Sequence, residues 1–120
     1  MKRDINMIAS HLFKTTIFTF LVDCVWLLTG GIYIRSMLER IQGQSISLRY
    51  VALPIVYAMV AYMILQTHSY LEAAIYGCCI YGIYDFTNYA TFEHYDWRIG
   101  LADTLWGGFL FVAVRYLMKL

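Results

Sequence analysis

Apolar residues run in four long blocks separated by short polar stretches, and this spacing predicts the architecture before any single residue is considered. A helix crosses a bilayer core with about 20 predominantly apolar residues. Four windows qualify: residues 13–34, 50–65, 71–90 and 99–118. The second is the shortest, and Leu48 and Gln66 at its flanks can extend it. The intervening connections of about 15, 5 and 8 residues are short enough to force neighbouring helices antiparallel. The expected fold is therefore all-α: a four-transmembrane-helix antiparallel bundle, forming a single integral membrane domain over residues 1–120.

Composition supports that reading. The chain of 120 residues is 61% hydrophobic and 14% charged, with a mean hydropathy of +0.59, against about 25% charged residues in an average soluble domain. Membrane lipid is the expected surrounding. A net charge of +1 leaves no basic surface able to neutralise many phosphates, so nucleic acid is not an expected partner. Cys24, Cys78 and Cys79 all fall in apolar windows, an odd number with two of them adjacent. They read as small hydrophobes rather than as a disulfide framework or a redox site.

The opening Met1-Lys2-Arg3-Asp4 resembles the charged start of a signal peptide. The apolar run after it is longer than a signal core, and no small-x-small cleavage site follows, so it is kept as the first span. Orientation rests on a small imbalance. A cytoplasmic N-terminus places Lys2, Arg3, Lys14, Arg115 and Lys119 inside and Arg35, Arg40, Arg49 and Arg98 outside, five against four. Lys14 and Arg115, near span ends, are expected to snorkel to the headgroups. Tyr33, Tyr50, Tyr70, Tyr95, Trp97 and Tyr116 fit the interfacial aromatic belt.

Candidate chemistry lies in three aspartates inside these windows, Asp23, Asp85 and Asp103. A carboxyl at membrane depth costs about 2.5 kcal/mol or more, so it is normally turned toward a partner, a cavity or a site. In the first span Thr16, Thr19, Asp23, Trp26 and Gly30 recur at helical spacing on one face. The fourth span carries Gly100, Asp103, Trp106 and Gly107 on a similar strip, and the third carries Tyr81, Asp85 and Asn88 with Tyr84 alongside. At 1.5 Å per residue, Asp85 and Asp103 sit on the order of 8 to 10 Å below the membrane face at the third loop, and Asp23 roughly 18 Å below it. All three are expected to line one crevice opening on that side.

The segment Tyr84-Asp-Phe-Thr-Asn-Tyr-Ala-Thr91, with Trp97 and then Asp103-Thr-Leu-Trp-Gly107, resembles the signature of a family of small predicted membrane proteins of unknown function. Leu21-Val-Asp-Cys-Val-Trp-Leu27 is similar to the family's other phrase, Leu-Asp-x-x-Trp-Leu. Two departures are visible: Val22 stands between Leu21 and Asp23, and Phe86 replaces the usual Leu. The resemblance covers nearly the whole chain and extends to bacteria and some large DNA viruses. It implies a four-span fold and marks Asp23, Trp26, Tyr84, Asp85, Thr87, Asn88, Asp103 and Trp106 as site candidates; it implies no substrate. The phrase Asp-x-x-Trp occurs in both the first and fourth spans, which raises an internal inverted duplication, but a four-residue match is short for that conclusion.

Other chemistry is weaker. Glu93-His94-Tyr95-Asp96 offers metal-ligating types within four residues, yet a zinc site needs further ligands at a distance, so a solvated loop is expected, with no metal and no cofactor. Phosphate-binding loops and the familiar nucleophile and metalloprotease motifs do not occur. The leading functional expectation is a polytopic membrane protein whose intramembrane acids handle a proton, a cation or a small solute as a transporter does, as a homo-oligomer, since four helices leave little room for a water-filled path. The alternative is a structural or assembly protein of a cellular membrane or viral envelope whose acids specify helix packing. An intramembrane enzyme using two carboxyls as acid and base ranks third.

Overall fold

The computed structural model describes residues 2–120, with side-chain surroundings from residue 5 onward. The described chain is built from five helices: α1 (Lys2–Leu28), α2 (Gly31–Gln42), α3 (Ala52–Leu65), α4 (Tyr70–Thr91) and α5 (Trp97–Leu117). Local signals set the boundaries of the last two. Ser69 accepts the backbone N–H of Glu72 at 3.1 Å, the Ser-x-x-Glu spacing of a capped helix start. Asp96 caps α5 by accepting the N–H of Arg98 at 2.9 Å. The second, third and fourth windows therefore reappear as α3, α4 and α5 within about two residues.

The first window does not. Residues 13–34 were expected to form one span, but the helix begins at Lys2, stops at Leu28, and a separate α2 starts at Gly31. The break falls where a side chain has no room: a Cβ on Gly30 would lie 2.4 Å from the Trp26 ring. α2 ends at Gly43 in the left-handed conformation that glycine favours (φ 77°), and is tied down by Met37. That side chain is fully buried, and its sulfur accepts the backbone N–H of Asp96 at 3.1 Å.

By length and composition two helices are able to cross a membrane, α1 over Ile5–Leu28 and α5 over Trp97–Leu117, and α3 is a shorter apolar helix. At 1.5 Å per residue α4 and α5 are about 33 and 32 Å long, which matches a bilayer core of about 30 Å, while α3 reaches about 21 Å. Large apolar side chains cover the outside of these helices: Phe13, Leu28, Val51, Leu71, Ile83 and Phe109 are all more than half exposed. Soluble monomers rarely show apolar patches on this scale.

α4 and α5 form the tightest pair, and α1 packs on both α3 and α5. Glycines make the α4–α5 seam possible. A Cβ on Gly77 would sit 2.1 Å from the Gly107 carbonyl oxygen, and one on Gly108 would sit 2.6 Å from Cys78 Sγ. Helices in lipid gain association from such close backbone approach. One half of the bundle is an apolar core of Val60, Ile64, Ala73, Leu110, Phe111 and Val114. The other half holds the acids.

Candidate functional site

Asp23, Asp85 and Asp103 are all buried, at 6%, 1% and 8% exposure, and each faces inward from a different helix. The Asp-x-x-Trp phrases of α1 and α5 meet each other. Trp26 Nε1–H donates to Asp103 Oδ1 at 2.8 Å, and Trp106 Nε1–H donates to Asp23 Oδ1, also at 2.8 Å. Between the two bonds the indole rings stack, with centroids 5.5 Å apart and planes 12° from parallel. Helical spacing explains the reciprocity: an acid and an indole three residues apart lie on one face, and running the partner helix in reverse sets each indole against the other helix's acid. The result is a locally two-fold clasp that fixes the register of α1 on α5.

Asp23 and Asp85 each have a tyrosine donor as well, while the Thr104 hydroxyl near Asp85 donates to the Gly100 carbonyl at 2.8 Å. The Tyr57 hydroxyl from α3 donates to Asp23 Oδ2, and its ring packs edge-on against Phe20 of α1. Tyr95 O–H donates to Asp85 Oδ1 at 2.9 Å, and the Thr104 hydroxyl lies 3.3 Å from Asp85 Oδ2. Burial and the bond to Asp85 push the Tyr95 hydroxyl well above the ordinary tyrosine range, so it remains a donor throughout physiological pH. The Asp85 and Asp103 carboxyls are close enough to interact, and a proton on either one would let it donate to the other.

The Tyr81 ring lies over Gly107, where a Cβ would approach its Cγ to 2.4 Å, and its hydroxyl sits within electrostatic reach of Asp23, Asp103 and Asp85. Among the described residues the ion pairs are surface ones, Arg35–Glu39 at 3.0 Å and Arg98–Asp96 at 3.1 Å. Each draws its carboxylate below the usual range, through the hydrogen bond from the arginine first. The carboxyl cluster itself is therefore surrounded by neutral donors.

Of the candidates named from sequence, Asp23, Trp26, Asp85, Asp103 and Trp106 come together. Tyr84 is 54% exposed and is paired with Asn88, which is half-buried. Thr87 faces outward; its carbonyl accepts the Thr91 hydroxyl, and its side chain stands apart from the carboxyls. The expected common crevice takes a different form. An opening of about 320 Å³ is walled by Trp26, Gly30, Tyr33, Asp96, Arg98 and Ala102 among others, and none of the three carboxyls lines it. It reaches the outer edge of the clasp, where the Trp26 ring lies between it and Asp103. Tyr57, Tyr95 and Thr104 are partners that sequence reasoning did not single out. No group of three or more metal-ligating side chains forms among the described residues.

No curated protein and no solved structure matches the chain. A family model does, over residues 8–118, nearly the whole length and including every residue of the cluster. The chain belongs to the family described as "Predicted membrane protein (DUF2177)".

Proposed function

We propose that this protein is a multi-pass membrane protein, with α1, α3, α4 and α5 as its four spans, that takes up and releases protons at its buried carboxyls. The observation that carries the reading is the burial of Asp23, Asp85 and Asp103 in one cluster without a basic partner among the described residues. Three ionised carboxylates in one low-dielectric pocket would repel one another and lose their hydration, so the cluster needs positive charge from elsewhere. A shared proton supplies it. A metal cation fits less well, because indole and phenol donors already point at one or more carboxylate oxygens of each acid, whereas hard cations require several free oxygen ligands. The opening beside Trp26 gives protons an approach from the face that carries α2 and the α4–α5 loop.

The clasp supports a second role for the acids, the packing role. Asp23 and Asp103 hold α1 on α5 through the two indoles, so Asp103 serves both the clasp and the proton-sharing pair. The two roles separate by mutation. In vesicles reconstituted with purified protein, an imposed pH gradient should drive proton uptake with the wild type. That uptake should be absent with Asp85→Asn, whose clasp is intact, and retained in part with Trp106→Phe. Equal uptake by wild type, Asp85→Asn and empty vesicles rejects proton handling and leaves the packing role alone.

A further inference from the structure

At the opposite end of the bundle from the carboxyls, α5 buries a cation. Arg115 is 8% exposed, and its Nη1 donates to the Thr67 carbonyl at 2.6 Å and lies 3.2 Å from the Thr67 hydroxyl. The Tyr70 ring lies 5.7 Å from its Cζ. Its Nε is buried with no hydrogen-bond partner among the described residues, and no carboxylate pairs with it there. A position near a span end predicted a side chain snorkelling to water; instead the guanidinium is folded in against the α3–α4 connection. The Nε–Nη2 edge left over is the fork that matches two oxygens of a phosphate.

Two further observations indicate what that edge meets. The antiparallel register set by the clasp, with 23 opposite 106 and 26 opposite 103, carries on to place Lys14 and His11 of α1 across from Arg115 and Met118. Lys14 and Lys119 are exposed and flank this end, where Glu72 in the first turn of α4 is a half-buried acidic neighbour. Beside it lies a groove of about 650 Å³, mainly apolar, lined by Met7, Ile8, Leu12, Leu65, Gln66 and Leu120 among others. The groove and the guanidinium share two structural links. Gln66 precedes the Thr67 that holds Arg115, and the Leu120 N–H donates to the Arg115 carbonyl at 3.1 Å. The backbone that carries Arg115 and Thr67 thus borders an apolar channel of acyl-chain character.

We propose that this end of the bundle is a binding site for an anionic phospholipid, its phosphate at Arg115 and one acyl chain in the α1–α3 groove. Arg115 is then a binding residue whose missing partner is the lipid, and Lys14 and Lys119 favour an anionic headgroup over a zwitterionic one.

The test is native mass spectrometry of the detergent-purified full chain, delipidated and then offered phosphatidylglycerol, phosphatidylcholine or inorganic phosphate. Wild type should retain phosphatidylglycerol at least about five-fold over phosphatidylcholine. Arg115→Gln should reduce that retention about ten-fold, and Arg49→Gln, which removes an exposed charge at the far end of the bundle, less than two-fold. Ile8→Trp, which fills the groove from an exposed position, should lower phosphatidylglycerol retention without altering phosphate binding. Equal retention of the two lipids by wild type overturns the proposal. So does unchanged phosphatidylglycerol retention in Ile8→Trp, a result that also decides the matter if Arg115→Gln does not fold. Phosphate binding with no lipid preference would identify a small-anion site and overturn the lipid assignment.

Discussion

The two ends of the bundle bury opposite charges and satisfy them differently. On α5, Asp103 and Arg115 stand twelve residues apart, about 18 Å along the helix. At the Asp103 end, three acids meet four neutral donors, Trp26, Trp106, Tyr57 and Tyr95. At the Arg115 end, one guanidinium meets a carbonyl and a hydroxyl, and part of it has no partner among the described residues. The apolar core of Ile64, Leu110, Phe111 and Val114 adjoins the Arg115 end. The acid end holds its groups in place mostly through internal donors, whereas the basic end leaves one buried nitrogen without a hydrogen-bond partner among the described residues.

The comparison depends first on the seam that both ends share. Gly77→Leu would drive a side chain into the Gly107 backbone, where no rotamer relieves the clash. The expected loss is about 3 kcal/mol or more, read as a collapse of folded yield and of unfolding midpoint in detergent, and it should disrupt both ends together.

Trp106→Phe sharpens the acid end. It removes the donor to Asp23 and part of the stack on Trp26, with an expected loss of about 2 kcal/mol for a hydrogen bond to a charged group. Trp26→Phe should cost a similar amount. Because the rings stack, the double variant should deviate from additivity by about 1 kcal/mol, measured by a double-mutant cycle. Strict additivity would mean that the two halves of the clasp act independently.

The smallest effect is at the surface. The Asp96 carboxyl is held below its ordinary value of 3.8, chiefly by the hydrogen bond from Arg98. A depressed carboxylate contributes stability at pH values above its unfolded value and loses that contribution as pH falls through the lower folded value. In Arg98→Gln the small stability that the depressed Asp96 carboxyl contributes near neutrality should therefore be lost, with little change at pH values below its folded value, as followed by thermal unfolding across a pH series. Arg98 is largely exposed, so the loss is small and should shrink further in salt.

What could be read from sequence divides along chemical lines. Asp23, Asp85 and Asp103 stand out because nothing else in their windows is ionisable at that depth, and Trp26 and Trp106 because each repeats three residues after its acid. Their partners do not stand out. Tyr95 near a span end reads as an interfacial aromatic, and only the folded α4–α5 loop turns it inward to Asp85. Tyr57 sits mid-window among apolar residues, with no local pattern linking it to α1. Thr87 carries the opposite error: it belongs to the most specific part of the family phrase but lies on the outer face of α4. Arg115 reads as snorkelling because distance from a span end says nothing of which way a long side chain folds. The break after Leu28 is hidden by continuous hydropathy, and its signal is the Gly30–Gly31 pair, whose meaning depends on where the Trp26 ring packs.

Infrared spectroscopy of the protein in bilayers tests the central claim most directly, because the carbonyl stretch of a protonated carboxyl is separate from the bands of a carboxylate. The account predicts one such band in the wild type, absent in both Asp85→Asn and Asp103→Asn, where the shared proton has lost its second carboxyl, and present in Asp23→Asn. A wild type without the band, or a band unchanged when Asp85 and Asp103 are replaced in turn, would contradict a proton held between these two side chains.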